Sequence, residues 1–599
     1  SKSKKNIEKY FNLNANSKKK LISILNHLIK ENMITKVKRN FYGSIIPLNK
    51  KIVFMVTKIY KNKIFSLPLK YKGKFKDLEL FLNDSNYYLI ESLQVGQKFY
   101  GTVDFDPTSK YSITFIKNID TQNSELIIGV LNFRNKKFYI QRNELLNKSI
   151  EIIPDNVHKI ESGQLVKVKL IKQRKVWKAK VFEIIGTIDS LKSLNKYIEQ
   201  KYDLPLTFST QVEIEAQNLS KIKINDKNRE DYREIDFITV DPDDAMDHDD
   251  AIWASKDTKS SNKNGWIIKI AIADVSFYVK ENSLIDREAL KRCFSLYFPN
   301  KVIPMLPFNL SNNLCSLKSG KDRPALVLHI IIDSNGKITS YKFRRAVINV
   351  SANLTYKVFN NLIRENYESK KYNHLKQTVS DLLGSYNSLK HMKKTRSPLE
   401  IYSQEPKFII KDDKLNNIIQ SENLESHNLV EEFMITANSC AANYLINSKI
   451  KTLFRVHEKP TTTKMKQFKK ILKNLNIEFH NEEETSTNFF NQIISKYNEK
   501  KILNLINVLV LRCQSQANYS YKNIGHFGLS LKAYTHFTSP IRRYSDLIIH
   551  RSILNEINIE KNKITDETLA LQISQIERNN TLVERSIYNI YSTLFLSKK

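Results

Sequence analysis

The run Asp241-Pro242-Asp243-Asp244-Ala245-Met246-Asp247-His248-Asp249-Asp250 decides how the rest of this chain is read. It sets six carboxylates in ten residues of a protein whose formal net charge is +34. Unit charges about 4 Å apart repel by roughly 1 kcal/mol in water and about 4 kcal/mol at an effective dielectric near 20, so such a cluster calls for a cation. Ile235-Asp236-Phe237-Ile238-Thr239-Val240 before it and Ala251-Ile252-Trp253-Ala254 after it read as strands, which pin the acidic run between two rigid elements. A solvated acidic loop is one reading of these residues. The other is a site for a hard divalent cation such as Mg²⁺, which takes a few carboxylates and leaves other positions to water and phosphate. A helix–loop–helix calcium loop is excluded: counted from Asp241, the fifth position is Ala245, the sixth is Met246 instead of Gly, and the twelfth is Ile252 instead of Glu.

Further motifs follow in order. They are Ile272-Ala273-Asp274-Val275-Ser276, Tyr297-Phe298-Pro299, Ile303-Pro304-Met305-Leu306-Pro307, Leu314-Cys315-Ser316-Leu317, Gly525-His526-Phe527-Gly528-Leu529 and Thr538-Ser539-Pro540-Ile541-Arg542-Arg543-Tyr544. Together with Thr239-Val240-Asp241, Asp247, Asp249 and Asp250, they resemble the signature of the ribonuclease II/ribonuclease R (RNB) family of 3′→5′ exoribonucleases, on its ribonuclease R side. The resemblance implies a multidomain fold: an N-terminal winged-helix-like segment, two small OB-type (cold-shock) β-barrels and a large α+β catalytic domain.

Composition agrees with a polyanion partner. Lys and Arg number 96 against 62 Asp and Glu, the electrostatic footprint of a nucleic-acid binder, although abundant Lys, Asn and Ile with only 13 Gly point to a compositional bias behind part of that excess. A chain of 599 residues exceeds one core and calls for several domains. The four cysteines, Cys293, Cys315, Cys440 and Cys513, form no C-x-x-C pair, so neither a zinc site nor a disulfide framework is expected. With no long apolar run and no leader pattern, the expectation is a cytoplasmic monomer that binds RNA and no membrane.

Along the chain, residues 1–46 carry basic clusters ahead of Leu21, Ile24, Leu25 and Leu28 at helical spacing, the expected winged-helix-like segment. Short alternating segments over 51–120 and again over 125–188 suggest two small barrels of the OB type, which hold single strands through aromatic faces and basic grooves. A helical connector is expected over 189–202, then the catalytic domain over 203–599, in which Trp266–Val279 and Ala325–Ile332 read as strands. Apolar stripes at Val379, Leu382, Leu383, Tyr386 and Leu389, and from Val430 to Tyr444, read as helix cores. The last helix is expected near residues 566–596 and carries Ile573, Leu582 and Ile587. The S1 barrel that the family carries after this helix is expected to be absent.

The resemblance assigns roles residue by residue. Asp241, Asp247, Asp249 and Asp250 match the metal-binding aspartates, for Mg²⁺ with Mn²⁺ able to substitute, while Asp243, Asp244 and His248 are expected to flank them. Arg542 matches the arginine that stabilises charge developing at the phosphate, and Arg543 is a second phosphate-binding candidate. Tyr297 matches the aromatic that stacks on the terminal nucleotide, and Tyr356 with Glu431 the pair that reads the 2′-hydroxyl. Where the other stacking aromatic belongs, the chain has Leu399-Glu400-Ile401-Tyr402, so Ile401 replaces it or Tyr402 serves from a shifted register. The implied activity is processive hydrolysis of RNA to nucleoside 5′-monophosphates by a two-metal mechanism, in RNA turnover and quality control. A catalytically inactive RNA-binding regulator on the same scaffold is the alternative.

Overall fold

The computed structural model describes residues 2–30, 34–38, 40–44, 51–60, 63–69, 80–82, 98–106, 110–118, 126–141, 149–154, 159–173, 176–224, 228–364, 370–401, 406–420, 422–479, 486–497, 500–556 and 567–597. Two compact units emerge, Ser1–Ile127 with Lys169–Ile171, and Ile128–Val168 with Lys172–Lys599.

In the first unit, strands β1 (Lys2–Ser3), β2 (Ile34–Lys38) and β3 (Phe41–Ser44) form a three-stranded sheet in the order β1-β3-β2, beside helices Lys4–Tyr10 and Ala15–Lys30. Their small core is Leu21, Leu25 and Tyr42, with Ile7, Leu13, Ile29 and Ile34 packed against it. Ile24, expected on the apolar face, is 52% exposed: Leu21 and Leu25, one turn apart, already fill the narrow contact with the sheet. Strands β4 (Ile52–Tyr60), β5 (Lys63–Pro68), β6 (Leu80–Leu82), β7 (Lys98–Asp106) and β8 (Lys110–Asn118) then close a barrel. Phe54 stacks on Phe99 inside it, with ring centroids 5.6 Å apart.

A second closed barrel is made by β9 (Leu126–Arg134), β10 (Lys137–Gln141), β11 (Ile150–Ile153), β12 (Gln164–Gln173) and β13 (Val176–Thr187). The connector helix Leu191–Lys201 follows, its first turn capped by Ser190 Oγ, which accepts from Ser193 N.

At the centre of the large domain lies a third closed barrel, of β14 (Glu230–Asp241), β15 (Asp250–Lys256), β16 (Trp266–Ala273), β19 (Asp322–Ile332) and β20 (Ile338–Thr355). A short hairpin, β17 (Leu296–Phe298) with β18 (Lys301–Ile303), stands outside it. Sequence periodicity predicts one strand from Trp266 to Val279, but β16 stops at Ala273. There Asp274 caps a short helix by accepting from Phe277 N at 3.1 Å. The helices Lys376–Arg396 and Glu425–Asn447 bury Val379, Leu382, Tyr386 and Leu389, and Val430, Phe433, Ala437, Cys440 and Ala441, which is the face their apolar spacing predicts. The final helix, Glu567–Ser597, buries Ile573 and Ile587, but Leu582 is 41% exposed and its neighbour Val583 takes the inward place.

Strand direction fixes where chemistry can gather. β14 and β20 pair in parallel, with Asp241 opposite Thr355, so both strands finish at the same end of the barrel. β15 runs antiparallel to β14, Ile238 facing Ile252, and so begins at that end with Asp250. Asp241, Asp250 and Tyr356 therefore share one rim.

A buried charge cluster locks the same barrel. Asp274, 1% exposed, accepts from Arg229 Nη2 at 2.7 Å, from Arg345 Nη2 at 2.7 Å and from Ser276 Oγ at 2.6 Å. Burial alone would raise its pKa, but the two guanidinium charges outweigh that and hold the carboxyl well below its usual range. Removing one partner of such a group strands the others in a dry interior. Asp274→Ala is expected to lower the unfolding free energy by about 3–5 kcal/mol, read from the urea midpoint. With the folded pKa depressed, this contribution is present above the unfolded pKa of about 3.9 and fades as pH falls through the folded value, so parent and variant should converge in acid.

Candidate active site

The acidic run crosses from β14 to β15 and is tied down by the Leu314-Cys315-Ser316-Leu317 motif. His248 N donates to Ser316 Oγ at 3.1 Å, Ser316 Oγ donates to Met246 O at 2.9 Å, and Leu317 N donates to His248 O at 3.0 Å. Just after the strand, Asp243 and Asp244 form a turn in which both are exposed. The other four carboxylates are partly or fully buried.

Asp249 is the most enclosed, 3% exposed. Its Oδ1 accepts from Ile541 N at 2.9 Å, while Oδ2 makes no hydrogen bond and faces Arg542 Nε at 3.3 Å. Burial pushes its pKa well up against the pull of Arg542, with Asp247 and Asp250 adding to the rise. Asp250 is raised to about 7, by burial and then by the charge of Asp241. Asp241 Oδ2 lies 2.6 Å from His248 Nδ1, and Asp247 Oδ2 accepts from Tyr297 Oη at 2.9 Å. His248, expected only to flank the aspartates, is thus the direct neighbour of one of them.

Among the described residues, no three carboxylate, imidazole or thiol groups stand close enough together to ligate one ion. Three of the four aspartates are turned instead toward His248, Tyr297 and the Ile541–Arg542 segment. The donor set nonetheless suits a hard divalent cation: carboxylate oxygens gathered at one rim, one buried without a hydrogen bond and two held toward the protonated state by burial and by neighbouring carboxylates.

Arg542 is held by Ser539 Oγ, which accepts from Nη2 at 3.0 Å, yet its side chain stays 43% exposed. Arg543, the second phosphate-binding candidate, is engaged inside the protein. Its Nε and Nη2 donate to the two oxygens of Asp546 at 3.0 and 2.8 Å, and Asp546, fully buried, also accepts from Ser539 N at 2.8 Å and Ser545 Oγ at 2.9 Å. A guanidinium whose Nε and Nη2 close on an internal carboxylate holds the loop together.

Tyr297 projects from β17 between two buried neighbours and is 37% exposed, with its hydroxyl donating to Asp247. Tyr356 opens the helix Tyr356–Leu362 and stacks on His427 with centroids 4.0 Å apart and planes 21° off parallel. Its hydroxyl pKa is raised by burial and then by Asp250 and Asp241, which places it beside the acidic rim. His427 lies one turn before Glu431 on the helix Glu425–Asn447, so this stack links the two residues expected to read the sugar. Glu431 itself is exposed and lines a cavity of about 550 Å³ with Lys390, Lys393, Lys394, Arg396 and Ile401. Leu399 N donates to Gly528 O at 2.8 Å, and Leu399 and Ile401 pack on the cluster of Phe489 and Phe490, so this cavity wall is aliphatic at Ile401. Tyr402, the other candidate, lies outside the described residues.

With this geometry in view, comparison with known proteins is decisive. The family model described as the RNB domain matches residues 229–558, a span that holds the acidic run, Tyr297, Tyr356, Glu431 and Arg542. The chain belongs to the RNB family. A cold shock domain model matches residues 138–209, from within the second barrel through the connector helix. Ribonuclease R of Mycoplasmopsis pulmonis is 30% identical over 614 residues, covering 98% of this chain and 81% of that protein. Ribonuclease R of Escherichia coli is 34% identical over 423 residues, 69% of this chain, and the chain spans about half (52%) of that relative's length. Among solved structures, Mycoplasma genitalium RNase R in complex with ribose methylated single-stranded RNA superposes with a TM-score of 0.71 at 23% identity, covering 91% of this chain and 87% of that one. The fold is shared as well by yeast Ssd1, described as a pseudonuclease, with a TM-score of 0.62 at 14% identity, covering 95% and 75%.

The differing roles of the adjacent arginines are separable. Arg543→Ala leaves Asp546 buried and unpaired and should cost about 3–5 kcal/mol, seen as a lowered thermal midpoint. Arg542→Ala, at a half-exposed position, removes the single ion pair to Asp249 and should lower that midpoint by less than Arg543→Ala does.

Proposed function

We propose that this RNB protein is a 3′→5′ exoribonuclease, Mg²⁺-dependent with Mn²⁺ able to substitute, that degrades RNA processively to nucleoside 5′-monophosphates in cytoplasmic RNA turnover and quality control. The observation that carries the reading is the meeting, at one barrel rim, of the four aspartates with Arg542, whose Nε stands 3.3 Å from Asp249. Asp241, Asp247, Asp249 and Asp250 would hold the metal, which when bound supplies an activated water and relief of charge on the leaving oxygen.

The chain's own groups do the rest. Arg542, braced on one side by Asp249 and Ser539, offers its solvent-facing edge to a phosphoryl oxygen. Tyr297 presents an open ring face to the 3′-terminal base, and its hydroxyl, bonded to Asp247, fixes that ring against the acidic rim. Tyr356 and Glu431 meet the sugar, where a 2′-hydroxyl can both donate and accept and so separates RNA from DNA. Capture of single-stranded 3′ ends rests in this reading on the basic segment 1–46 and the barrels over 51–120 and 125–188. The connector 189–202 leads from these to the catalytic domain 203–599. The chain acts as a monomer, and its four cysteines, all buried and unpaired, suit a reducing compartment. No described helix is long and apolar enough to cross a membrane.

A non-cleaving RNA-binding regulator is the second reading, favoured by the fold shared with a pseudonuclease. Against it stand all four aspartates and Arg542.

Asp249→Asn keeps an oxygen for Ile541 N and removes a carboxylate from the rim. It should reduce hydrolysis of 5′-labelled single-stranded RNA in Mg²⁺ to background while RNA affinity in EDTA stays within a few-fold. Near-parental degradation by this variant would refute the metal assignment, and a parent that binds but never cuts would establish the regulator instead. Tyr356→Ala with Glu431→Ala should lower the preference for RNA over DNA, and an unchanged preference in a competition assay would remove the sugar-reading role.

A further inference from the structure

The hairpin that carries Tyr297 has three residues in each strand, too short to hold its own position. Its root is fixed by the arginine segment: Ser295 N donates to Arg542 O at 3.0 Å and Tyr544 N to Cys293 O at 2.8 Å. The tip is held from elsewhere. Asn300, in the turn, accepts from Asn195 Nδ2 at 3.1 Å, and Lys301 pairs with Glu199, both partners lying on the connector helix Leu191–Lys201. Asn195, 5% exposed, is oriented in turn by Tyr591 Oη of the final helix, which donates to its Oδ1 at 2.8 Å.

Apolar packing follows the same route. Leu296 and Phe298, the inward neighbours of Tyr297, and Ile303 share one buried cluster with Leu191, Leu194 and Ile198 of the connector, with Leu165 and Ile185 of the second barrel, and with Val583, Ile587 and Tyr591. Little of the hairpin's inner face therefore rests on the central barrel of the large domain; it rests on the final helix, on the connector and on the cold-shock barrel.

We propose that the connector helix is a positioning element for Tyr297, that Asn195 is the residue through which it acts on the hairpin tip, and that it thereby sets how short an RNA the site retains. The inference rests on the exoribonuclease reading for its consequence, product length, but not for its geometry. Asn195 touches no substrate. Losing its bond to Asn300 leaves the tip on the Lys301–Glu199 pair alone, lets the Tyr297 ring drift from the line set by Asp247, and weakens the stack on the last base.

Two readouts test this. In EDTA, an RNA ending in 3′-terminal 2-aminopurine reports stacking by fluorescence quenching; the parent should quench, and Tyr297→Ala, Asn195→Ala and Asn300→Ala should each quench less. In Mg²⁺, the three variants should stop at longer end products than the parent on a denaturing gel. Adding Asn300→Ala to Tyr297→Ala should lengthen them no further. Asn300 is exposed, so its variant leaves the core intact even where Asn195→Ala unfolds. Parental quenching by Asn300→Ala overturns the positioning role, whatever the gel shows. Parental product length from Asn300→Ala beside a longer product from Tyr297→Ala overturns the link to trimming. RNA left whole by the unaltered chain in Mg²⁺ overturns the exoribonuclease reading alone, because the quenching arm still decides the geometry.

Discussion

The hydrogen bond from Ile541 N to Asp249 Oδ1 joins positions 292 residues apart, and the site exists because of it. On one side is a loop that its own charges would push open; on the other is a loop that ends in two arginines. A buried carboxylate needs donors, and Asp249 finds one in a backbone N–H and a counter-charge in the adjacent guanidinium. That pairing sets the distance between the acidic rim and Arg542. The same segment reaches back through Ser295 N to the root of the Tyr297 hairpin, so the Tyr297 ring, the acids and the arginine are referenced to one short stretch of backbone.

Around this contact the protein separates groups that stabilise from groups left free to act. Asp274 is enclosed by Arg229 and Arg345, and Asp546 by Arg543, and neither carboxylate reaches solvent. Asp241, Asp247, Asp249 and Asp250 receive weaker or single partners. In a chain with so large an excess of lysine and arginine, keeping cations out of this rim is itself a structural achievement. Part of it is reached by tying Arg229 and Arg345 to the buried Asp274 and Arg543 to the buried Asp546.

Much of this was legible in the residues. The aspartates announce themselves by density between two strand patterns, and the arginine segment by its match to a family signature; their convergence follows once both are placed. Other features leave no local mark. Strand periodicity says which face is buried but not that β14 pairs in parallel with β20 to close a barrel, because closure depends on partners more than 100 residues away. Arg543 looks like Arg542 from sequence, and only the buried Asp546 three positions on distinguishes them; an acid at that spacing in an Arg-Arg-Tyr-Ser-Asp run was the available signal. His248 could not be assigned to Asp241, since the loop between them admits many geometries. Ile24 and Leu582 mislead because an apolar residue at the edge of a helical stripe is inside only if a neighbour arrives to cover it.

The final helix adds a temporal constraint. Val583, Ile587, Tyr591 and Leu594 complete the apolar cluster whose other members all precede them in the chain. During synthesis from the amino end, the connector and the Tyr297 hairpin are therefore made long before the surface that seals them emerges from the ribosome. Until then Leu191, Leu194, Leu296 and Phe298 have no lid, and Asn195 lacks the tyrosine that orients it.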